Sequence, residues 1–326
     1  MPPARPRPPR QQHGAALLMA MIILTLVATL AAGMVYQQDR AIRVESAERA
    51  REQTSRVALG GLELARWILR QDATKNPKTD HLGEAWATSL PETELSSLIA
   101  GNDRSPTSEQ GLRAFMRGEI IDAQSRFNLR NLVDEKNEPS LADIEILRRL
   151  CANAGLPAEV AQRIAIGLRK AWATQELQPD AIVAPDRLAQ LTWLGIEPSV
   201  IDTLRPLVTL LPERGTKINV NTALADVLAA AINGLDRSSA QRIIDTRRRS
   251  ENNEGFTSTD KVRELFPQLK PEDFSNLSVT TGYFEVHSEL RIGDQVTSDV
   301  WLLRRRQSNI TLVRQERVAL RNLSRP

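Results

Sequence analysis

The sequence predicts an α+β chain in which a long N-terminal helix crosses a membrane, continues as a stem and packs on a small antiparallel sheet, with an all-α domain inserted into the head. Three observations predict this: an uncharged run from Ala15 to Tyr36, proline-punctuated helical patterns through the middle of the chain, and apolar–polar alternation over residues 276–326. With 326 residues, 41% of them apolar, the chain has the material for roughly two domains plus an anchor. Its 43 Lys and Arg are interspersed with 40 Asp and Glu, for a net charge of +3, so no whole-protein field draws nucleic acid.

The N-terminal segment is the most informative. Residues 1–14 hold Arg5, Arg7 and Arg10 among prolines and no acid. The 22 uncharged residues that follow, at about 1.5 Å each, reach about 33 Å as a helix, against a hydrocarbon core of about 30 Å. The three arginines favour a cytoplasmic N-terminus. Arg40 and Arg43 beyond the span reduce that asymmetry, although Asp39, Glu45 and Glu48 accompany them. Three readings compete: a secretory signal cut near Ala31-Ala32-Gly33, a plain anchor, and a prepilin-type leader ending at Gly14 with cleavage before Ala15. The chain beyond the span separates them. Gln37 to Arg70 has no proline, and Val57, Gly61, Ala65 and Ile68 form a stripe widened by Ala58, Leu62 and Leu69. A single helix of about 55 residues is implied, and a secretory signal does not normally run unbroken into such a helix. Gly60-Gly61 weakens it locally and marks close packing against the head.

Between Gln71 and Thr107, Asn76-Pro77, Leu90-Pro91, Gly101-Asn102-Asp103 and Ser105-Pro106 break the chain into short segments. Gly118 to Asp122 reads as a strand, and Glu135 to Pro139 as a polar turn. A helix then starts at the N-cap Ser140, with Asp143 as a capping-box acid and Leu141, Ile144, Leu147, Leu150 and Cys151 on one face. Further helices are expected at 157–173, 185–195 and 198–209. Cys151, the single cysteine, is expected to be a small buried apolar residue. Short helices follow at 223–232, 237–249 and 259–265. In the last segment Phe284, Val286, Leu290 and Ile292 share one parity, and Val296, Val300 and Leu302 form another run. Gly293-Asp294 is the turn between them, and Ile310–Val318 is a third strand. The triplets Arg247-Arg248-Arg249 and Arg304-Arg305-Arg306 are expected to be solvated ends of a helix and a strand.

The chain resembles the K-type minor pseudopilins of the bacterial type II secretion system. The resemblance rests on the stem, on 121–132 (IDAQSRFNLRNL), on Lys217-Ile218-Asn219-Val220-Asn221-Thr222-Ala223 with Val227-Leu228 and Gly234-Leu235, and on Tyr283-Phe284-Glu285-Val286. It implies a pilin-like head and removal of the leader by a prepilin peptidase after Gly14, with N-methylation of Ala15. It also implies a tip-type subunit, because Met19 stands at the fifth mature position, where most pilin-like subunits carry glutamate. I-type and J-type minor pseudopilins, the major pseudopilin and the inner membrane are the implied partners, with the chain single-pass and its head periplasmic. No nucleic-acid partner is expected.

The resulting division is leader 1–14, transmembrane helix 15–36, stem 37–70, first part of the head 71–135, inserted helical domain 136–215, second helical block 216–275 and C-terminal strands 276–326. The second block is also similar to helix-hairpin-helix modules, so a membrane-anchored DNA-binding protein of the competence type is the alternative. Against it, Asp236 replaces the second glycine of the phosphate-binding turn at Gly234-Leu235-Asp236. No catalytic constellation stands out, and His13, His81 and His287 share no metal-ligand spacing with Cys151. Because K-type relatives can bind calcium through acidic clusters, Asp134, Glu135 and Glu138 are the candidate ligands, with a solvated acidic turn as the plainer reading. No other cofactor is expected.

Overall fold

The computed structural model describes residues 13–94, 114–173, 183–250, 254–292 and 295–318. The expected turns at Gly101-Asn102-Asp103, Ser105-Pro106 and Gly293-Asp294, and leader residues 1–12, lie outside these. The chain divides between Val57 and Ala58 into two units.

In the first unit, helix α1 (His13–Lys75) begins, and its Ala16–Glu45 portion, 30 residues with an 18-residue window of mean hydropathy 2.4, is long and apolar enough to cross a membrane. Its two threonine hydroxyls need no lipid-facing partner, because Thr25 and Thr29 each donate to the carbonyl three residues back at 2.9 Å. Beyond Tyr36 the surface turns ionic, with Arg43 on Asp39 and Arg56 on Glu52.

In the second unit, the same helix presents Ala58, Leu62, Ala65 and Leu69, all buried, at alternating spacings of four and three. They pack with Trp86, Phe284, Val286, Trp301, Leu303 and Ile310. Gly61 lets the helix approach closely: a Cβ there would lie 3.1 Å from Met116 Sδ, whereas Gly60 has nothing within 4 Å.

The sheet is antiparallel with order β1-β2-β7-β8-β9: β1 (Leu90–Glu94), β2 (Ala114–Asp122), β7 (Tyr283–Ile292), β8 (Gln295–Arg306) and β9 (Asn309–Val318). Phe284, Val286 and Leu290 share the buried face, as their parity predicts. In β8 both faces are buried. Trp301 and Leu303 face the helix side while Leu302 joins Ala123, Leu211 and Tyr283 in a separate cluster, and the register shifts between Leu302 and Leu303. Both faces of the strand are covered there, so a single-parity stripe was too simple.

Between β2 and β7 the chain inserts its helices: α2 (Leu141–Asn153), α3 (Glu159–Ala173), α4 (Pro198–Leu204), α5 (Ala225–Ala231), α6 (Arg237–Arg249) and α7 (Thr259–Glu264). Two parallel two-stranded ribbons, β3 (Phe127–Asn128) with β4 (Val208–Thr209) and β5 (Ile218–Asn219) with β6 (Leu277–Ser278), stitch the insert's ends. One apolar cluster runs from Phe127 to Leu277 and includes the fully buried Cys151. Ser140 caps α2, accepting from Asp143 N at 3.4 Å and donating to the Asp143 carboxylate at 2.5 Å, but the full capping box does not form, because Ser140 N donates to Leu132 O at 2.9 Å. Leu141, however, is 81% exposed, because it occupies the first helical position and points off the buried stripe. The expected helix at 198–209 stops at Leu204, since Val208 and Thr209 pair with β3, and 185–195 shrinks to a 3-10 stretch at Leu188–Leu194.

Candidate functional site

Two stretches, 121–132 and 217–223, meet as a buried polar seam. Asp122 ends β2 and accepts from Gln124 N at 2.7 Å, while its other oxygen accepts from Asn219 Nδ2 at 2.9 Å and the Thr222 hydroxyl at 2.6 Å. Gln124 donates to Lys217 O at 2.7 Å and accepts from Gly282 N at 2.6 Å. Asn128 Nδ2 donates to Glu213 O at 2.8 Å, and Asn131 Nδ2 to Thr216 O at 2.9 Å. Buried backbone groups need partners, so short amide and carboxylate side chains recur where the insert joins the sheet. Asn221 does the same further in, donating to Phe256 O at 3.0 Å and accepting from Phe256 N at 2.7 Å. Gly255 lies against it with φ 70°, where a Cβ would come within 2.5 Å of Asn221 Oδ1.

Beside the seam is an ion-pair node. Asp72, near the end of α1, and Asp80 and Glu84, in the following loop, bring carboxylate oxygens within 4.8 Å of one another. Arg305 of β8 reaches in, donating from Nη1 to Asp72 at 2.8 Å and from Nη2 to Asp80 and to Thr281 O. Glu84 Oε2 accepts from Trp86 Nε1 at 2.5 Å and from His81 N at 3.1 Å, and its Oε1 lies 3.5 Å from His81 Nε2. Burial raises all three acids, and it carries Asp72 to about 7, with the Glu84 charge adding and Arg305 opposing. Burial likewise holds Asp122 at about 6 against its hydrogen bonds. Glu285 goes the other way: burial pushes it up, but the His287 hydrogen bond and Arg126, 2.7 Å away, outweigh this and bring it to about 2. Three clustered carboxylates have the oxygen donors of a hard-cation site, yet a guanidinium already spans two of them. The node's chemistry is to lock the end of α1 to β8.

Both arginine triplets differ from expectation. Arg247 is buried, its Nη1 donating to Val220 O at 2.6 Å and Ala223 O at 2.8 Å, and Arg305 is the centre of the node. Arg304 and Arg306 share Glu213. Two of the histidines have carboxylate neighbours, His81 beside Glu84 and His287 beside Glu285.

Of the residues singled out from sequence, Gly14 and Ala15 fall at the start of α1, but their side chains lie outside the described residues. Met19 sits on the apolar helix, 64% exposed. Asp134, Glu135 and Glu138 share a turn without converging. Asp134 Oδ1 accepts from Lys136 N and Glu138 N, both at 2.8 Å, and Glu138 pairs with Arg169 at 3.0 Å. At the hairpin-like turn Asp236 caps α6, accepting from Ser239 N at 2.7 Å, so an acid occupies the place of a phosphate.

An apolar N-terminal helix, a small antiparallel sheet and an inserted helical domain define a membrane-anchored pilin-like subunit. Residues 125–213 and 218–280 both match the family described as type II secretion system (T2SS), protein K. The type II secretion system protein K of Pseudomonas aeruginosa is 31% identical over 312 residues, covering 88% of this chain and 86% of that one. That of Pectobacterium carotovorum is 26% identical over 316 residues, covering 87% and 90%. The fold is also that of a chain in the crystal structure of the GspK-GspI-GspJ complex from the enterotoxigenic Escherichia coli type 2 secretion system, with TM-score 0.65 and 18% identity over 84% of this chain and 99% of that one. The chain belongs to the type II secretion system protein K family, and it is a minor pseudopilin of such a system.

Proposed function

We propose that this subunit works at the tip of the pseudopilus, where with I-type and J-type minor pseudopilins it initiates or caps the fibre that drives folded proteins across the outer membrane. The observation that carries this is the likeness of 84% of the chain to a chain solved together with GspI and GspJ. A prepilin peptidase removes residues 1–14 and Ala15 becomes the methylated N-terminus, in the inner membrane with the head periplasmic. Met19 supports a terminal place. A carboxylate inside the bilayer costs about 2.5–3.5 kcal/mol unless a neighbour offsets it, and a subunit with Met19 cannot pair with a neighbour's N-terminal amine. The major pseudopilin then lies on one side only. The role is mechanical and templating, with no reaction catalysed and no calcium required at Asp134, Glu135 or Glu138.

Mass spectrometry of the mature chain from membranes tests the processing: a mass beginning at N-methyl-Ala15 is expected, and one beginning at Met1 or near Ala32 overturns it. Co-purification with tagged I-type and J-type subunits tests the assembly; recovery of this chain with neither sinks the tip reading.

A further inference from the structure

Between the insert and the sheet edge lies a half-open cavity of about 320 Å³, lined by Arg130, Trp172, Asp186, Leu210, Val313 and Arg314 among others. Arg130 sits over Trp172, its guanidinium carbon 3.7 Å from the ring centroid, which holds the fork in place. Its Nη1 is buried with no hydrogen-bond partner among the described residues, and so is Nε of Arg214, whose charge acts on Arg130. The nearby acids are already engaged. Asp186 pairs with Arg187 at 3.0 Å, and Glu213 is shared by Arg304, Arg306 and the Tyr283 hydroxyl. Arg314 donates to the carbonyls of Asp186 and Leu210. Burial, with Arg214 adding, depresses Arg130 to about 10.

We propose that this cavity binds a small oxyanion, phosphate or carboxylate, on the Arg130 guanidinium. Arg130 is half-buried and lines the cavity; a cation so placed with a like charge beside it is stabilised by an anion, and a planar fork matches two oxygens on one centre. The volume lies at the small end of ligand pockets, which suits a single anionic group and not a nucleotide. The apolar walls from Leu210 and Val313 admit the carbon next to a carboxylate as readily as a bare ion.

The test is calorimetric titration of the full chain in detergent at constant ionic strength, with inorganic phosphate in one arm and acetate in the other, each against chloride. One saturable site per chain is expected, and Arg130→Gln weakens it roughly tenfold or more. Arg130→Lys, which keeps the charge but loses the fork, weakens it too, so a folding defect in the first variant leaves the second to decide. Arg148→Gln, outside the cavity lining, changes nothing. Saturation by phosphate alone identifies a free-ion site, and saturation by acetate assigns the site to carboxylates, including those of a protein side chain. If neither anion saturates, or if both Arg130 variants bind as tightly as the unaltered chain, the site does not exist.

Discussion

Arg305 shows what a single residue does here. Its side chain is 9% exposed, between Asp72 and Asp80. Removing one partner of a buried pair leaves the others uncompensated, at about 3–5 kcal/mol. Arg305→Met is therefore expected to lower the unfolding free energy of the head, read from denaturant titration, by that amount, and a loss under about 1 kcal/mol would mean that water already screens the node. The pH dependence follows from the raised acids. Asp72 titrates near 7 and Asp122 near 6 in the folded head, against about 4 when unfolded, so the folded state holds more protons between those limits. Their contribution to stability is full below about pH 4 and is lost as pH rises through 6 and 7. Glu285, near 2 when folded, acts oppositely, losing its contribution only as pH falls through 2. Asp72→Asn should flatten the decline between pH 4 and 7 in urea titrations; an unchanged slope would assign it to other groups. None of this node was legible in sequence. Arg305 is separated from its partners by 233 and 225 residues, and a charge within a triplet carries no local sign that it is buried. Arg247 was missed for the same reason, its acceptors being backbone carbonyls. Asp134, Glu135 and Glu138 were gathered by closeness in sequence, which their turn does not convert into convergence. The polar stretches 121–132 and 217–223 were visible as patterns, but their meeting depends on the fold.

At the scale of elements, periodicity made the long helix and its stripe readable: Ala58, Leu62, Ala65 and Leu69 are buried as their spacing requires. The glycine pair separates two effects. Gly60 is exposed with open space around its Cβ position, whereas Gly61 faces Met116. Gly60→Ala should stabilise the head by about 0.5–1 kcal/mol through helix propensity, while Gly61→Leu should destabilise it by about 1–3 kcal/mol through overpacking. Equal effects in thermal unfolding would show that Gly61 is not a packing contact. The membrane portion has hydropathy to spare, at a mean of 2.4 over an 18-residue window. Met19→Glu costs about 2.5–3.5 kcal/mol on insertion scales, and the chain should still resist carbonate extraction from membranes; release would show that the span is marginal. Periodicity failed where both faces are covered, as in β8, and where helices are too short for a stripe, as at 198–209, which ends at Leu204.

At the scale of the whole head, apolar packing and polar linkage are divided. The helical insert holds one cluster from Phe127 to Leu277, and a second lies between the stem stripe and the sheet. The seam of Asp122, Gln124, Asn128 and Asn219 joins them through directional bonds. Because the first cluster takes residues from α2 and α3 and equally from α5, α6 and α7, the helices before and after residue 216 should behave as one cooperative unit. Leu150, fully buried in α2, tests this. Leu150→Ala removes about 2–5 kcal/mol, and the loss should appear in hydrogen exchange as faster amides in α3 and also in α5 and α6. The strands β7 and β8, whose core is the other cluster, should keep their protection until the head unfolds globally. Acceleration confined to 141–173 would mean that the insert is two units in contact, and acceleration reaching β7 would mean that the seam transmits packing as well as order.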